Sequence, residues 1–286
     1  MGSELLRRAA TTVLVAVVVA AGCVVAGVWQ WNRHTDRAAA IALVEANYEA
    51  TAVPLEQLVG TEPLSPGDVW RPVTLKGRYL GDPVLLRNRP VGGVPGFHVL
   101  APLLVTSGPL AGSVLVVDRG WVPTGDDGSD ADSVPSAPGG SVSVVVRLRA
   151  DEPDSRRDAP LGQVQAIAVD QVRDAWVTAT GQPELWTGQD LGAYGALESE
   201  DGAAAAGLGR LPKPSTDPGP HLSYAFQWWV FALGALVGAG VLLTRDAREQ
   251  RRPPDDASDD PQEVRVRRRR RPTAEEEEDA LLDAQR

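Results

Sequence analysis

Residues 9–28, AATTVLVAVVVAAGCVVAGV, and residues 224–243, YAFQWWVFALGALVGAGVLL, carry no charged side chain. Each run is 20 residues long, close to the ~20 residues a helix needs to cross the hydrocarbon core of a bilayer. Reading outward from them gives the organisation of the chain. Residues 1–8 form a short N-terminus, 9–28 a first transmembrane helix and 221–244 a second. Residues 29–220 form a domain between them, and 245–286 a charged tail. The expected fold class is membrane α + β, with two transmembrane helices flanking one mostly antiparallel, small barrel-like domain.

Arginine sets the expected orientation. Arg7 and Arg8 precede the first run, Arg245, Arg248, Arg251 and Arg252 follow the second, and Arg267 to Arg271 lie further out. Basic residues flanking membrane helices stay in the cytoplasm, so both termini are expected there, with residues 29–220 outside a bacterial plasma membrane. That middle region holds 15 Lys/Arg against 24 Asp/Glu, a balance that argues against a nucleic-acid surface.

The first run exceeds the 7–15-residue core of a cleaved signal and leads into Trp29-Gln30-Trp31, residues suited to the headgroup level. An uncleaved anchor is therefore the expectation. Ala20-Ala21-Gly22-Cys23 is a loose lipoprotein motif, but the apolar run continues past Cys23. Ala16, Ala20, Cys23 and Gly27 fall on one helical stripe, as do Gln227, Gly234 and Gly238 on the second helix. Small residues let helices approach closely in lipid. The stripes either pack the two anchors together or grip another membrane protein.

Between the anchors, residues 33–49 have the spacing of an amphipathic helix. Valine- and leucine-rich runs at 69–80, 84–91, 97–106, 114–122 and 142–150, bounded by Gly, Pro or Asp, read as strands. Residues 125–140 form an acidic Ser/Pro/Gly loop, 164–180 a helix holding Trp176, 184–186 a short strand and 202–220 a linker. Trp70 and Trp121 are expected in the core. Arg87, Arg89, Asp118 and Arg119 are expected at a sheet rim.

No phosphate-binding glycine loop, zinc-protease helix or nucleophile-elbow serine occurs, and no catalytic residue is assigned. Histidine appears only at positions 34, 98 and 221. On a helix His221, Tyr224 and Trp228 face one way, at the depth of Trp29, Gln30 and Trp31 on the other anchor, with Arg33, His34 and Arg37 just above. Two readings are open. Interfacial Trp and Tyr are ordinary membrane anchors; alternatively, an imidazole, aromatic walls and guanidinium groups suit haem, which offers iron to ligate and carboxylates to neutralise.

Five blocks then carry a resemblance: Gly27-Val28-Trp29-Gln30-Trp31-Asn32-Arg33; Trp70 to Tyr79; Leu85 to Pro90 with Pro95 to Leu103; Val116 to Pro123; and His221 to Trp228. In this order and with two anchors, the chain resembles the Surfeit-locus-one family of cytochrome c oxidase assembly proteins over about residues 10–245. The family commonly has Asn where this chain has Pro220. The resemblance implies a non-enzymatic assembly factor for haem–copper cytochrome c oxidase that presents or stabilises haem a for the catalytic subunit. It places the haem contact at His221, with Trp29 and Gln30 as further candidates for the same site, and the reading of the helix faces adds Arg33, Tyr224 and Trp228. The other reading is a structural accessory that stabilises an oxidase or respiratory supercomplex without touching haem.

Overall fold

The computed structural model describes residues 2–250 apart from 61, 127 and 129. The tail motifs at 251–286, including the Arg block and Glu275 to Glu278, lie outside the described residues. The chain forms two compact units, one of Met1–Ala21 with the chain from Ala232 onward, the other of Gly22–Phe231.

In the first unit, Ala16, Ala20, Ala232 and Ala239 are the buried apolar positions, while the larger side chains Leu14, Val18, Leu233 and Val237 face outward. Large apolar residues outside and alanine inside is the pattern of helices that face lipid and pack on small side chains. Both helices are long and apolar enough to cross a membrane. The first, α1, runs unbroken over Gly2–Asn47 and so absorbs the separate amphipathic helix expected at 33–49. The second, here α3, is His221–Gln250. Gly234 and Gly238 are exposed, with nothing within 4 Å of a Cβ placed on either. Of the two readings of the Gln227–Gly234–Gly238 stripe, packing of the anchors on each other is therefore corrected. Burial falls instead on Ala232 and Ala239 in this unit and on Ala225 in the other.

The second unit is built on β1 (Val53–Pro54), β2 (Pro72–Tyr79), β3 (Val84–Leu86), β4 (Gly96–Val105), β5 (Val114–Pro123), β6 (Val142–Ala150), β7 (Gln163–Val164) and β8 (Asp190–Glu200), with α2 (Val169–Thr180). The sheet order is β1-β2-β6-β8-β5-β4-β3-β7. Pairings of β1 with β2, β3 with β7 and β5 with β8 are parallel. β2 also meets β4 from Gly77–Val105 to Tyr79–Leu103, so the sheet curls back on itself about β2. Its ends, β1 and β7, lie beyond that curl. The architecture is thus a large mixed sheet, five of its eight pairings antiparallel, and not the small barrel-like domain expected. The mixed character comes from β8, which lies between β6 and β5 and runs parallel to β5, with the short parallel pairings of β1 and β7 at the ends.

Alternation along β4 and β5 divides the apolar core. Ala101, Leu103, Leu115 and Val117 point to one face, where they meet Val73, Val144, Val146 and Leu148. Leu100, Val114 and Val116 point to the other, where Val172 and Trp176 of α2 cover them with Trp186. Both faces are buried, so these strands read as continuous apolar runs. Gly181, at φ 66°, ends α2 in the left-handed conformation glycine tolerates.

Residues 184–186 belong to a single 3₁₀ turn at Pro183–Leu185 rather than to a strand. Trp70 and Trp121 are half-buried at the sheet margin, whereas Trp176 and Trp186 fill the core. Asp118 and Arg119 are interior rather than at a rim, 3% and 4% exposed. The Arg119 guanidinium donates through Nε and Nη2 to both carboxylate oxygens of Glu200, at 2.6 and 3.0 Å, and the Tyr79 hydroxyl donates to the same carboxylate at 2.6 Å. Such a bidentate pair satisfies a buried charge that would otherwise be prohibitive.

Candidate functional site

The sequence points to the place where α3 begins, and here the second unit brings two of the nominated residues together. Gly219, at φ 68°, turns the linker. The Pro220 carbonyl then accepts the first helical bond from the Tyr224 N–H at 3.1 Å. Pro220 thus supplies the acceptor needed at the helix entry, and His221 opens the helix directly after it.

His221 Nδ1 lies 2.9 Å from Gln30 Oε1. With the amide oxygen as acceptor, the imidazole donates from Nδ1 and leaves Nε2 as its other nitrogen. Fixing one ring nitrogen by a hydrogen bond is how proteins select the nitrogen left for a metal. The helices approach closely beneath this contact. Gly27 is buried, and a Cβ there would lie 2.3 Å from the Trp229 indole nitrogen. Trp229 in turn packs near Trp31, with ring centres 6.0 Å apart, and edge-on to Phe226 at 5.5 Å. These aromatic pairs set the walls below the histidine.

The remaining nominated residues are placed differently. Trp29, Tyr224 and Trp228 are 59%, 47% and 36% exposed; Arg33 is also exposed. They present an outward aromatic and cationic surface, and among the described residues no side-chain hydrogen bond joins them to His221 or Gln30. Sequence reasoning missed Trp229, which lies nearer the seam than Trp228. Its signal was the step of four from Ala225, itself four from His221, which marks the buried face. Arg37 donates to the carbonyls of Asp217 and Ser215 at 3.0 and 2.8 Å. That contact ties the linker to α1 next to the histidine.

Tested against a haem-type group, the donor set fits. One imidazole, held through Nδ1, leaves Nε2 as the nitrogen that would ligate an iron. Gln30 supplies the orienting acceptor, and the surrounding surface is aromatic with a guanidinium at its edge. Among the described residues no group of three or more His, Cys, Asp or Glu is arranged to hold a bare metal ion.

Two helices long and apolar enough to cross a membrane, with a mixed sheet between them in the sequence, fit a membrane protein. The model of the SURF1 family matches residues 17–233. Uncharacterised SURF1-like proteins of Mycobacterium bovis and of two strains of Mycobacterium tuberculosis are each 34% identical over 227 residues, covering 78% of this chain and 78% of each relative. The chain belongs to the SURF1 family, an assembly-factor family linked to cytochrome oxidase assembly. The matched segment contains the whole mixed sheet and both partners of the His221–Gln30 contact.

Proposed function

We propose that this protein is an assembly factor for haem–copper cytochrome c oxidase, anchored in the bacterial plasma membrane, that presents or stabilises haem a for insertion into the catalytic subunit. Both termini lie in the cytoplasm in this reading, and the sheet lies outside. The observation that carries it is the hydrogen bond between His221 Nδ1 and Gln30 Oε1. It orients the imidazole so that Nε2 is the nitrogen turned to a ligand such as a haem iron. His221 would bind the group and Gln30 would orient it. Trp29, Tyr224 and Trp228 would cover its apolar faces, and Arg33 would neutralise a carboxylate. When bound, haem a supplies the iron that the imidazole ligates. A carrier has to release its load, so a single protein ligand suits the task better than two.

The test is purification from cells that make haem a, followed by an absorption spectrum. Wild type is expected to carry a Soret band that His221→Ala loses and Gln30→Ala weakens. An unchanged spectrum in His221→Ala removes the histidine from this role.

One observation favours a second reading, a structural accessory to an oxidase or supercomplex. In the first unit Gly234 and Gly238 line an open groove of about 840 Å³ together with Ala16 and Ala239. A small-residue groove accepts another helix in lipid. In that case Gly234→Leu releases the protein from the oxidase on co-purification, and His221→Ala has no effect.

A further inference from the structure

The sheet unit encloses a polar pocket of about 160 Å³ that plays no part in the reading above. Its chemistry comes from Trp70, Arg89, His98, Asp118, Arg149 and Tyr194. The strand register explains why positions so distant in sequence converge. Ala196 of β8 is paired with Asp118 of β5 on one side and with Arg147 of β6 on the other, and Tyr194 is paired with Arg149. On β4 the register shifts between His98 and Leu100. A bulge of this kind re-aims a side chain, and His98 Nδ1 lies 2.7 Å from Asp118 Oδ2.

The fold uses some of these charges and leaves others unused. Arg89 is held by Glu152 at 2.5 Å. Arg147, also on the pocket wall, is held by Glu198 at 3.2 Å and by the Tyr48 carbonyl at 3.0 Å. Arg149 has neither a hydrogen bond nor an ion pair among the described residues. Its guanidinium lies 3.7 Å from the Trp70 ring centre and 5.8 Å from that of Tyr194. Stacking of this sort occupies the flat face of the guanidinium and leaves its edge donors free. Asp118 is 3% exposed, and its Oδ1 has no hydrogen-bond partner. Buried carboxylate oxygens are almost always satisfied, so this orphan on a residue that lines the cavity marks a missing donor. Burial pushes the Asp118 carboxyl above its ordinary value, with His98, the Gly120 N–H and the charge of Arg149 opposing. Trp70 itself sits at φ 72°, a left-handed conformation uncommon for a bulky residue, and it is pinned there by its N–H to the Leu148 carbonyl at 2.8 Å.

An unpaired guanidinium edge and an unpaired buried carboxylate oxygen ask for opposite things. A simple anion would answer Arg149 and face Asp118 with like charge. A simple amine would do the reverse. We propose that this pocket binds a small hydroxy- or amino-carboxylate, whose carboxylate lies on the free edge of Arg149 while its hydroxyl or ammonium group donates to Asp118 Oδ1. Leu86 and Ile167 on the pocket wall cover its carbon skeleton. The size agrees, because the cavity holds about five water volumes at ~30 Å³ each, room for a molecule of that scale and far too little for a macrocycle.

Full-length protein in detergent, free of haem, is titrated with L-lactate and with glycine, using acetate and methylamine as single-group controls. Tryptophan fluorescence, to which Trp70 contributes, and calorimetry follow the titration. Lactate or glycine is expected to bind saturably, with both controls at least tenfold weaker. Arg149→Gln and Asp118→Asn each weaken binding at least tenfold. Should Asp118→Asn fail to fold, Arg149→Lys carries the same expectation, because it keeps the charge and loses the planar fork. Absence of saturable binding for both probes, acetate binding as tightly as lactate, or unchanged affinity in Arg149→Gln overturns the proposal. The titration involves no haem, so this site and the one at His221 can fail separately.

Discussion

Tyr194 is 4% exposed, and burial pushes its phenol from 10 up to about 12, beyond the counter-effect of Arg149. The sign of the consequence follows from proton counting. As pH rises from 10 towards 12, the unfolded chain releases its phenolic proton while the native chain keeps its own. The native state then binds more protons and loses stability. Stability present below pH 10 is therefore lost by on the order of 2–3 kcal/mol across this window. Urea midpoints at about pH 9 and about pH 11 are expected to differ strongly in wild type and less in Tyr194→Phe. The slope does not vanish in that variant, because burial and Glu200 push Tyr79 in the same direction. Residue by residue, the sequence was legible where neighbours in the chain carry the signal. His221 stands at the head of an aromatic helix, and its partner Gln30 lies inside the Trp-Gln-Trp step. The pocket at Asp118 was not legible. Its residues are scattered from Trp70 to Tyr194, in different sequence blocks or outside them, and strand pairing across β4, β5, β6 and β8 brings them together.

At the scale of elements, the two helices give a paired expectation. A side chain at Gly27 would meet the Trp229 indole at 2.3 Å, whereas one at Gly234 would meet nothing within 4 Å. Gly27→Leu is expected to cost about 1–3 kcal/mol by overpacking, visible as a lower melting temperature in detergent and altered tryptophan fluorescence. Gly234→Leu leaves both unchanged. If instead the two variants melt together, the close approach at Gly27 is not what holds this end of the helices. The α1 stripe was readable, since Ala16, Ala20, Cys23 and Gly27 recur at helical steps and are all buried. The α3 stripe misled, because glycine spacing drew attention from the alanines that carry the packing. β8 was missed outright for a related reason. Strand signals rest on β-branched residues, but the centre of this sheet demands small ones. A Cβ at Gly195 would lie 2.6 Å from a Val146 methyl. The strand that organises the fold is thus the one least strand-like in composition.

For the whole molecule, the arrangement of arginines outside the two apolar runs leads to a topology test. An alkaline phosphatase reporter inserted at Gly140 is expected to be active, and a fluorescent protein fused after Gln250 is expected to glow in the cytoplasm. The opposite pattern would put the sheet in the cytosol and end the reading of His221 as an outward-facing ligand. The order in which the parts of the sheet leave the ribosome carries a further consequence. β5 and β6 are made early, yet each has one edge that only β8 fills. Until that late segment arrives, both edges can mispair with other chains, and long-range pairings of this kind form slowly. Arg119 meanwhile has no counter-charge, because Glu200 is the last residue of β8. The newborn sheet therefore passes through an interval with open seams and a lone guanidinium at its heart, and docking of a single glycine-rich strand closes both faults together.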